Sequence, residues 1–340
     1  MTVLVIGGNG MLGTAILRRL RSLGTAARSF DVSPHPDPEV DSRVGDIRQP
    51  ESLIAACEGV EAVIHNAAVV SQQVAPSPEM YDINVQGTKN VIAACQAQKV
   101  ARLIYTSSID VVFDGTPIAN GDEDLPYPAK HLDYYSTTKM LAEQAVIGAN
   151  GEGGLTTCSL RVAGIYGPGD RHRFPRVVQP VLESGLYTRL GDGSARFNHL
   201  YATNAAHAHI LAADRLFPGS AAAGQCCFIT DHAPGNFFDF FPPYLDALGL
   251  RYRVRTVPYA LARSALTLLE TSARLRLLGA SQGTALSRYS IEATSRDFWF
   301  NAKKAARVLG YAPIVSAEAA FDETLIWLRG WVEAYRAGSA

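Results

Sequence analysis

Val3-Leu-Val-Ile-Gly-Gly-Asn-Gly-Met-Leu-Gly13 decides how the rest of the chain is read: a short apolar run ends in Gly7, Gly10 and Gly13, spaced three apart. Val3 to Ile6 has the length of a buried parallel strand. Met11 to Leu23 carries Leu12, Ile16, Leu17, Leu20 and Leu23 at helical spacing, so the glycines lie at a strand-to-helix turn. Gly7 permits the tight turn, Gly10 lets backbone approach a pyrophosphate, and Gly13 lets the helix pack close to the strand. Met11 and Leu12 open the helix, whose N-terminus supplies unpaired amides and a partial positive charge.

Ala26 to Phe30 reads as a second strand ending at Asp31, about 20 residues past the last glycine, where a carboxylate accepts from a ribose 2′-hydroxyl. A turn residue before Val-Ser-Pro is the plainer reading of the same position. Arg43 to Ile47 reads as a third strand closed by Gly45-Asp46-Ile47, with Asp46 placed to meet an adenine amino group. Ala62 to His65 makes a fourth, followed by Asn66, Ala67 and Ala68, small residues that let a cofactor pass over the strand end or simply pack tightly. Met80 to Gln98 has a helical pattern in Ile83, Val85, Val91, Ile92 and Cys95. Arg102 to Ser108 is a fifth strand finishing in Thr-Ser-Ser. This alternation implies parallel βαβ units, hence an α/β fold with a doubly wound parallel sheet of the Rossmann type. Ligands bind such sheets beyond the carboxyl ends of the strands, where Gly7, Asp31, Asp46, Asn66 and Ser108 all fall.

Asp133 suits the N-cap of a helix running to Ile147, and Thr156 to Arg161 reads as a sixth strand. Gly164 to Asp170 is turn-rich, and the spacing then loses its regularity. Residues 1–165 are therefore expected to form the NAD(P)-binding domain. Residues 166–340 should form a smaller C-terminal α/β substrate-binding region that weaves back into the first.

The net charge of −1 argues against nucleic acid as a partner, because a phosphate-backbone binder carries a basic surplus. Cys57, Cys95, Cys158, Cys226 and Cys227 form no Cys-x-x-Cys pair and have no histidine at ligand spacing, so neither metal nor a disulfide framework is indicated. The chain enters its first strand without a basic, apolar leader, which points to the cytoplasm. Between Pro258 and Gly279, Leu261, Leu266, Leu268, Leu269, Leu275, Leu277 and Leu278 are interrupted by Arg263, Glu270, Arg274 and Arg276. Those charges exclude a spanning helix; the stretch either makes peripheral contact with a membrane surface or covers an apolar substrate pocket.

Tyr135 and Lys139 stand four apart and share one helix face. A phenol works as a general base only when its pKa falls well below about 10, and an ammonium one turn away supplies the charge that lowers it. Ser108, at the fifth strand end, would orient the substrate oxygen. Oxidation is then proton loss from an alcohol to Tyr135 with hydride transfer to a nicotinamide.

At this point the residues resemble the extended short-chain dehydrogenase/reductases, over nearly the whole chain. Within that superfamily the sequence is most similar to the 3β-hydroxysteroid dehydrogenase branch, especially the decarboxylating sterol-4α-carboxylate 3-dehydrogenases. Tyr-Thr-Ser-Ser-Ile-Asp-Val-Val-Phe from Tyr105, Asn-Gly-Asp-Glu-Asp-Leu-Pro-Tyr-Pro from Asn120 and Asp-Tyr-Tyr-Ser-Thr-Thr-Lys from Asp133 carry the likeness. Phe-Ile-Thr-Asp-His from Phe228 and the segment from Asn301 to Pro313 add to it.

The resemblance implies Ser108, Tyr135 and Lys139 as the catalytic residues and Asn84 as a support beside the cofactor. It implies NAD as the cofactor, with NADP as the alternative that Asp31 disfavours. It further implies an apolar, sterol-like or long-chain acid substrate and a homodimer built on the Met80 and Tyr135 helices, whose faces carry Ala93, Ala94, Ala97, Ala142 and Ala145. Val162 departs from the proline usual after Arg161.

A 2-alkyl-3-oxo acid reductase would use the same triad. A nucleotide-sugar dehydratase would want an Asp-Glu pair where this chain has Ile109-Asp110, and an epimerase would want polar diphosphate contacts where it has Phe197 and Leu200. A redox-silent nucleotide sensor would keep the glycine turn and lack the triad.

Overall fold

The computed structural model describes residues 1–71, 75–274 and 287–338. The chain runs β1 (Thr2–Ile6), α1 (Met11–Ser22), β2 (Ala26–Asp31), β3 (Asp41–Val44), α2 (Pro50–Ala56) and β4 (Ala62–His65). Helices α3 (Pro78–Tyr81) and α4 (Thr88–Ala97) follow, joined by one wide π-helical turn at Asp82–Gly87. Then come β5 (Arg102–Ser108), β6 (Ile118–Gly121), α5 (Tyr134–Gly148), β7 (Thr156–Val162), β8 (Gly164–Tyr166), α6 (Arg173–Ser184), β9 (Leu186–Leu190) and β10 (His199–Tyr201). The rest is α7 (Ala202–Arg215), β11 (Cys226–Ile229), α8 (Pro242–Ala247), β12 (Arg253–Val257), α9 (Tyr259–Arg274), α10 (Arg288–Ser295), β13 (Phe298–Phe300), α11 (Lys303–Leu309) and α12 (Ala317–Arg336).

Among the described residues the main sheet has seven strands, ordered β3-β2-β1-β4-β5-β7-β11 and parallel throughout. The strand order reverses between β1 and β4, which opens a crevice above their carboxyl ends. Val3, Leu4, Val5 and Ile6 are fully buried, as a central parallel strand covered on both faces requires. Helices α1 and α7 cover one face, and α2, α4 and α5 the other. The C-terminal half returns to the sheet: Cys226–Ile229 pairs with β7 as an edge strand, and α7 packs on α1. A third apolar cluster, with Tyr166, Phe174, Phe241, Tyr244 and Leu328, lies in the rest of that half.

The spacing of apolar residues locates most elements that bear on the site. Two readings need correction. The third strand stops at Val44, so Asp46 and Ile47 stand past its end in a turn. The helix expected from Met80 to Gln98 is interrupted by the π turn, an insertion that widens one turn without disturbing the apolar pattern on either side.

On α9, Ala262 and Leu266 are buried while Leu261 and Leu268 are exposed on the opposite side. Leu275, Arg276, Leu277 and Leu278 lie outside the described residues, and of α9 the side chains are described only as far as Leu268. No helix among the described residues is long and apolar enough to cross a membrane.

Helix α5 is fixed to β7 by a buried ion pair. Arg161 donates from Nε at 3.0 Å and from a terminal nitrogen at 2.8 Å to Glu143 Oε1. Ser159 and Tyr127 each donate a further hydroxyl to the same carboxylate at 2.7 Å. Burial alone would push Glu143 up, but the guanidinium and these donors hold its pKa below the usual carboxylate value. Removing one partner of such a pair leaves an uncompensated buried charge, so Glu143→Ala should destabilise the fold by about 3–5 kcal/mol. The double change Glu143→Leu with Arg161→Met should recover most of that loss. Urea unfolding of the three variants checks both statements.

Candidate active site

The crevice above β1 and β4 is a cleft of about 480 Å³ lined by Gly7, Gly10, Asp31, Asp46, Ile47, Asn66, Ala67 and Ala68 among others. The glycines differ in what they make room for. Gly7 has φ +82°, and a Cβ there would stand 2.7 Å from the Ala67 amide nitrogen. A Cβ on Gly13 would meet Gly7 O at 2.1 Å, so this glycine is what lets α1 approach the strand end. Gly10 has only ordinary contacts around its missing Cβ, the nearest at 3.4 Å, and it faces the cleft. That is the geometry a pyrophosphate needs, with the amides of Met11 and Leu12 opening the helix beside it.

Asp31 is held by two backbone donors, Asn9 N at 3.0 Å and Val32 N at 2.8 Å, which aim the carboxylate from the end of β2. Asp46 also lines the cleft, but Arg48 grips it at 2.5 Å and lowers its pKa. The turn that joins them brings Arg48 itself to the cleft, together with Arg171 from beyond β8. Neither arginine was singled out from the sequence.

Asn84, in the π turn, is buried and fully engaged. It accepts from Val69 N at 2.8 Å, donates to Val69 O at 3.0 Å, and donates to Thr138 Oγ1 at 3.0 Å. Thr138 spends its proton on Tyr135 O at 2.8 Å. Asn84 thus ties the strand-end loop after β4 to the first turn of α5. Behind it, Thr88 gives its proton to Asn84 O at 2.7 Å and so accepts from His65 Nε2 at 2.9 Å, which fixes the histidine tautomer. Burial, with Lys139 nearby, drops the His65 pKa to about 3, so that ring is neutral.

Ser108, Tyr135 and Lys139 come together where β5 ends. Asp133 caps α5 by accepting from Ser136 N at 2.7 Å, which sets the rotation of the first turn. Lys139 is buried; its Nζ donates to Thr106 O at 2.5 Å and lies 4.2 Å from the centre of the Tyr105 ring. Burial brings its pKa down to about 7 against the upward pull of Glu143 and Asp110. Ser108 eases the Tyr135 phenol pKa down, but burial and then the carboxylates of Asp110 and Asp133 hold it well above the ordinary phenol value. Lys139 is not among the groups that shift it, so the lowering expected from Lys139 is not seen in this arrangement.

Two further groups stand at the same point. Ser108 Oγ donates to Asp110 Oδ2 at 2.7 Å, and the Tyr289 hydroxyl donates to Asp110 Oδ1 at 2.5 Å. Tyr289 comes from α10, 179 residues along the chain; Phe113 packs edge-on against it, and Phe298 stacks on Phe113. No local pattern could have joined Tyr289 to Asp110. Phe197 and Leu200 are buried core residues. A second cavity of about 330 Å³, with Tyr166, His199, Phe240, Tyr244 and Phe321 in its wall, shares no lining residue with the cleft.

The comparisons with known proteins agree with this architecture. Residues 4–260 match the 3-beta hydroxysteroid dehydrogenase/isomerase family. A 3-beta-hydroxysteroid dehydrogenase of Mycolicibacterium neoaurum is 35% identical over 332 residues, 95% of this chain and 90% of that one. A 3beta-hydroxysteroid-dehydrogenase/decarboxylase, isoform 2, of Arabidopsis thaliana is 38% identical over 287 residues, 82% of this chain but 50% of that longer protein. In fold, the chain superposes on MoeE5 in complex with UDP-glucuronic acid and NAD with a TM-score of 0.75, at 22% identity over 97% of this chain and 100% of that one. The chain belongs to the 3-beta hydroxysteroid dehydrogenase/isomerase family, a family of oxidoreductases.

Proposed function

We propose that the chain is an NAD-dependent dehydrogenase that oxidises the 3β-hydroxyl of a sterol-like substrate and, where a 4-carboxylate neighbours it, releases CO2. The observation that carries this reading is the convergence of Ser108, Tyr135 and a buried Lys139 at the end of β5. Family membership supports the substrate class, and the name of the Arabidopsis relative supports the decarboxylating form.

The cleft fits the dinucleotide. Gly7, Gly10, Met11, Leu12 and Gly13 would hold its pyrophosphate, Asp31 the adenosine ribose, Asp46 and Ile47 the adenine, and Asn66, Ala67 and Ala68 the passage over β4. When bound, NAD takes the hydride and brings a positively charged ring to this end of the sheet. Tyr135 takes the alcohol proton, Ser108 orients the substrate oxygen, and Lys139 supplies positive charge beside the phenol and holds the nicotinamide ribose. Asn84 keeps the loop after β4 against α5. Oxidation at C3 turns a 4-carboxysterol into a β-keto acid, whose carboxyl carbon leaves as CO2 while the electron pair passes into the new carbonyl as an enolate.

Assembly as a homodimer through α4 and α5 belongs to the same proposal. Ala94 and Ala142 are buried within the subunit, so Ala93 and Ala97 on α4 and the half-buried Ala145 on α5 are what remains for a partner. Leu261 and Leu268, exposed on α9, mark where the chain would meet a bilayer surface.

Product analysis with a 4-carboxy-3β-hydroxysterol beside a 2-alkyl-3-oxo acid separates this reading from a β-keto acid reductase. Tyr135→Phe should leave cofactor binding intact and lower turnover by roughly 10² to 10⁴. Tyr134→Phe should do far less, since that side chain points about 100° away around the helix. Lys139→Ala should lower both turnover and cofactor affinity. For the cofactor, Gly10→Ala should fold normally and bind NADH more weakly in a fluorescence titration. Asp31 should make kcat/KM higher with NAD than with NADP, and equal values would contradict its assignment. Light scattering at micromolar concentration should give a dimer mass.

A further inference from the structure

The cavity of about 330 Å³ beside β10 has no role in the dehydrogenase reading, and its wall includes a hydrogen-bond donor that lacks an acceptor. That donor is His199, only 8% exposed. Its Nδ1 lies 2.8 Å from a terminal nitrogen of Arg173. A guanidinium only donates, so Nδ1 accepts and the ring proton sits on Nε2. Burial, with Arg173 and His232 nearby, holds the ring pKa well below its ordinary value, so the imidazole is neutral. Nε2 stands on nearly the opposite edge of the ring from Nδ1, and it is buried with no partner among the described residues. A buried donor in that state is costly, and such groups are normally matched by a bound molecule or a water.

The charge behind the ring is unmatched as well. Arg173 donates to Gly164 O at 2.6 Å, to Ile165 O at 3.5 Å and to His199, so none of its acceptors is a carboxylate. Asp170 attracts it only from a distance. The Asp170 oxygens are taken up by the amides of His172, Arg173 and Phe174 at the start of α6. Burial outweighs the attraction and brings the Arg173 pKa down to about 10. The carboxylates around the cavity, by contrast, have partners. Asp239, in the wall, pairs with Arg189 at 3.1 Å. Asp231 accepts from Tyr201 N at 2.7 Å and Asn204 Nδ2 at 2.9 Å, and His232, also in the wall, stands 3.3 Å from it. The rest of the wall is largely aromatic: Phe240 stacks on His199 with ring centroids 3.8 Å apart, and Tyr166, Tyr244 and Phe321 continue it.

We propose that this cavity is a second ligand site, separate from the cofactor cleft, that takes a carboxylate carried on a flat apolar ring system. The carboxylate accepts from His199 Nε2–H, and the ring system lies among Tyr166, Phe240, Tyr244 and Phe321. Arg173 acts through His199. Its guanidinium fixes the tautomer and polarises the imidazole, which strengthens the N–H offered to the ligand. A neutral acceptor would satisfy the N–H alone, whereas an anion satisfies the N–H and answers the charge of Arg173 and His232 on either side of it. The volume suits a bicyclic ring, since small-molecule pockets run from roughly 300 to 1,000 Å³.

The proposal concerns binding only, so it stands or falls independently of which alcohol the enzyme oxidises. The probe is 2-naphthoate, titrated by calorimetry into the NAD-saturated protein, with 2-naphthamide as its neutral isostere. The wild type should bind the naphthoate with a Kd below roughly 1 mM and about tenfold or more tighter than the naphthamide. His199→Phe keeps an aromatic ring against Phe240 and removes the donor. It should weaken naphthoate binding about tenfold and bring the two probes close together. Phe321→Trp fills the cavity from α12 with His199 left in place, and it should weaken both probes. Neither residue lines the cofactor cleft, so NADH titrations of the two variants should match the wild type. Naphthoate held as tightly by His199→Phe as by the wild type, or no preference over the naphthamide, overturns the proposal. Undiminished binding in Phe321→Trp does so too, because the probe then sits elsewhere. Should His199→Phe fail to fold, the His199 Nε2 proton of the wild type decides by NMR: it should move downfield as naphthoate binds, and a resonance unmoved at saturation counts against the site.

Discussion

The buried pair of Arg161 and Glu143 is the interaction on which the site depends. Two charges taken out of water are costly unless geometry and extra donors compensate, and here two guanidinium contacts, Ser159 and Tyr127 converge on one carboxylate. The pair joins β7 to α5 at a point one turn beyond Lys139. It therefore fixes the rotation of the helix that carries Tyr135 and Lys139, and the same carboxylate helps keep Lys139 charged against its burial. A hydrophobic contact in that place could hold the helix but not the charge.

Much of this was legible in the sequence, for identifiable reasons. Strands β1 and β4 carry continuous apolar runs, Val3–Ile6 and Ala62–Ile64, because both faces are covered, and such runs have sharp ends. The rotation of α5 could be read because Asp133 is an N-cap and Tyr135 and Lys139 are four apart. The glycine turn was readable because sterics leave few alternatives at Gly7 and Gly13. What could not be read depends on loop conformation or distant pairing. Asp46 turns to Arg48 in a loop that no periodicity describes, the π turn at Asn84 leaves the apolar pattern intact, and Asp110 meets Tyr289 across most of the chain.

The two sides of the site are specified in different ways. On the cofactor side the requirement is steric: a missing Cβ at Gly7, Gly10 and Gly13 and small residues at Ala67 and Ala68 shape a cleft from one local segment and its neighbour strand. Around Asp110 the packing comes from far apart, with Phe113 after β5, Tyr289 on α10 and Phe298 on β13 packed together.

Charge balance links the two sides. His65 is neutral, and the buried Lys139 faces Asp110 and Glu143. Glu143 is already matched by Arg161, and the charges that act on Tyr135 are the two carboxylates of Asp110 and Asp133. A site with that excess of negative charge disfavours a phenolate as long as both carboxylates stay ionised. The opposition weakens when a carboxylate takes up a proton, although the larger effect of burial stays. Burial, and then the carboxylates of Asp110 and Asp133, are therefore what hold the phenol protonated at rest.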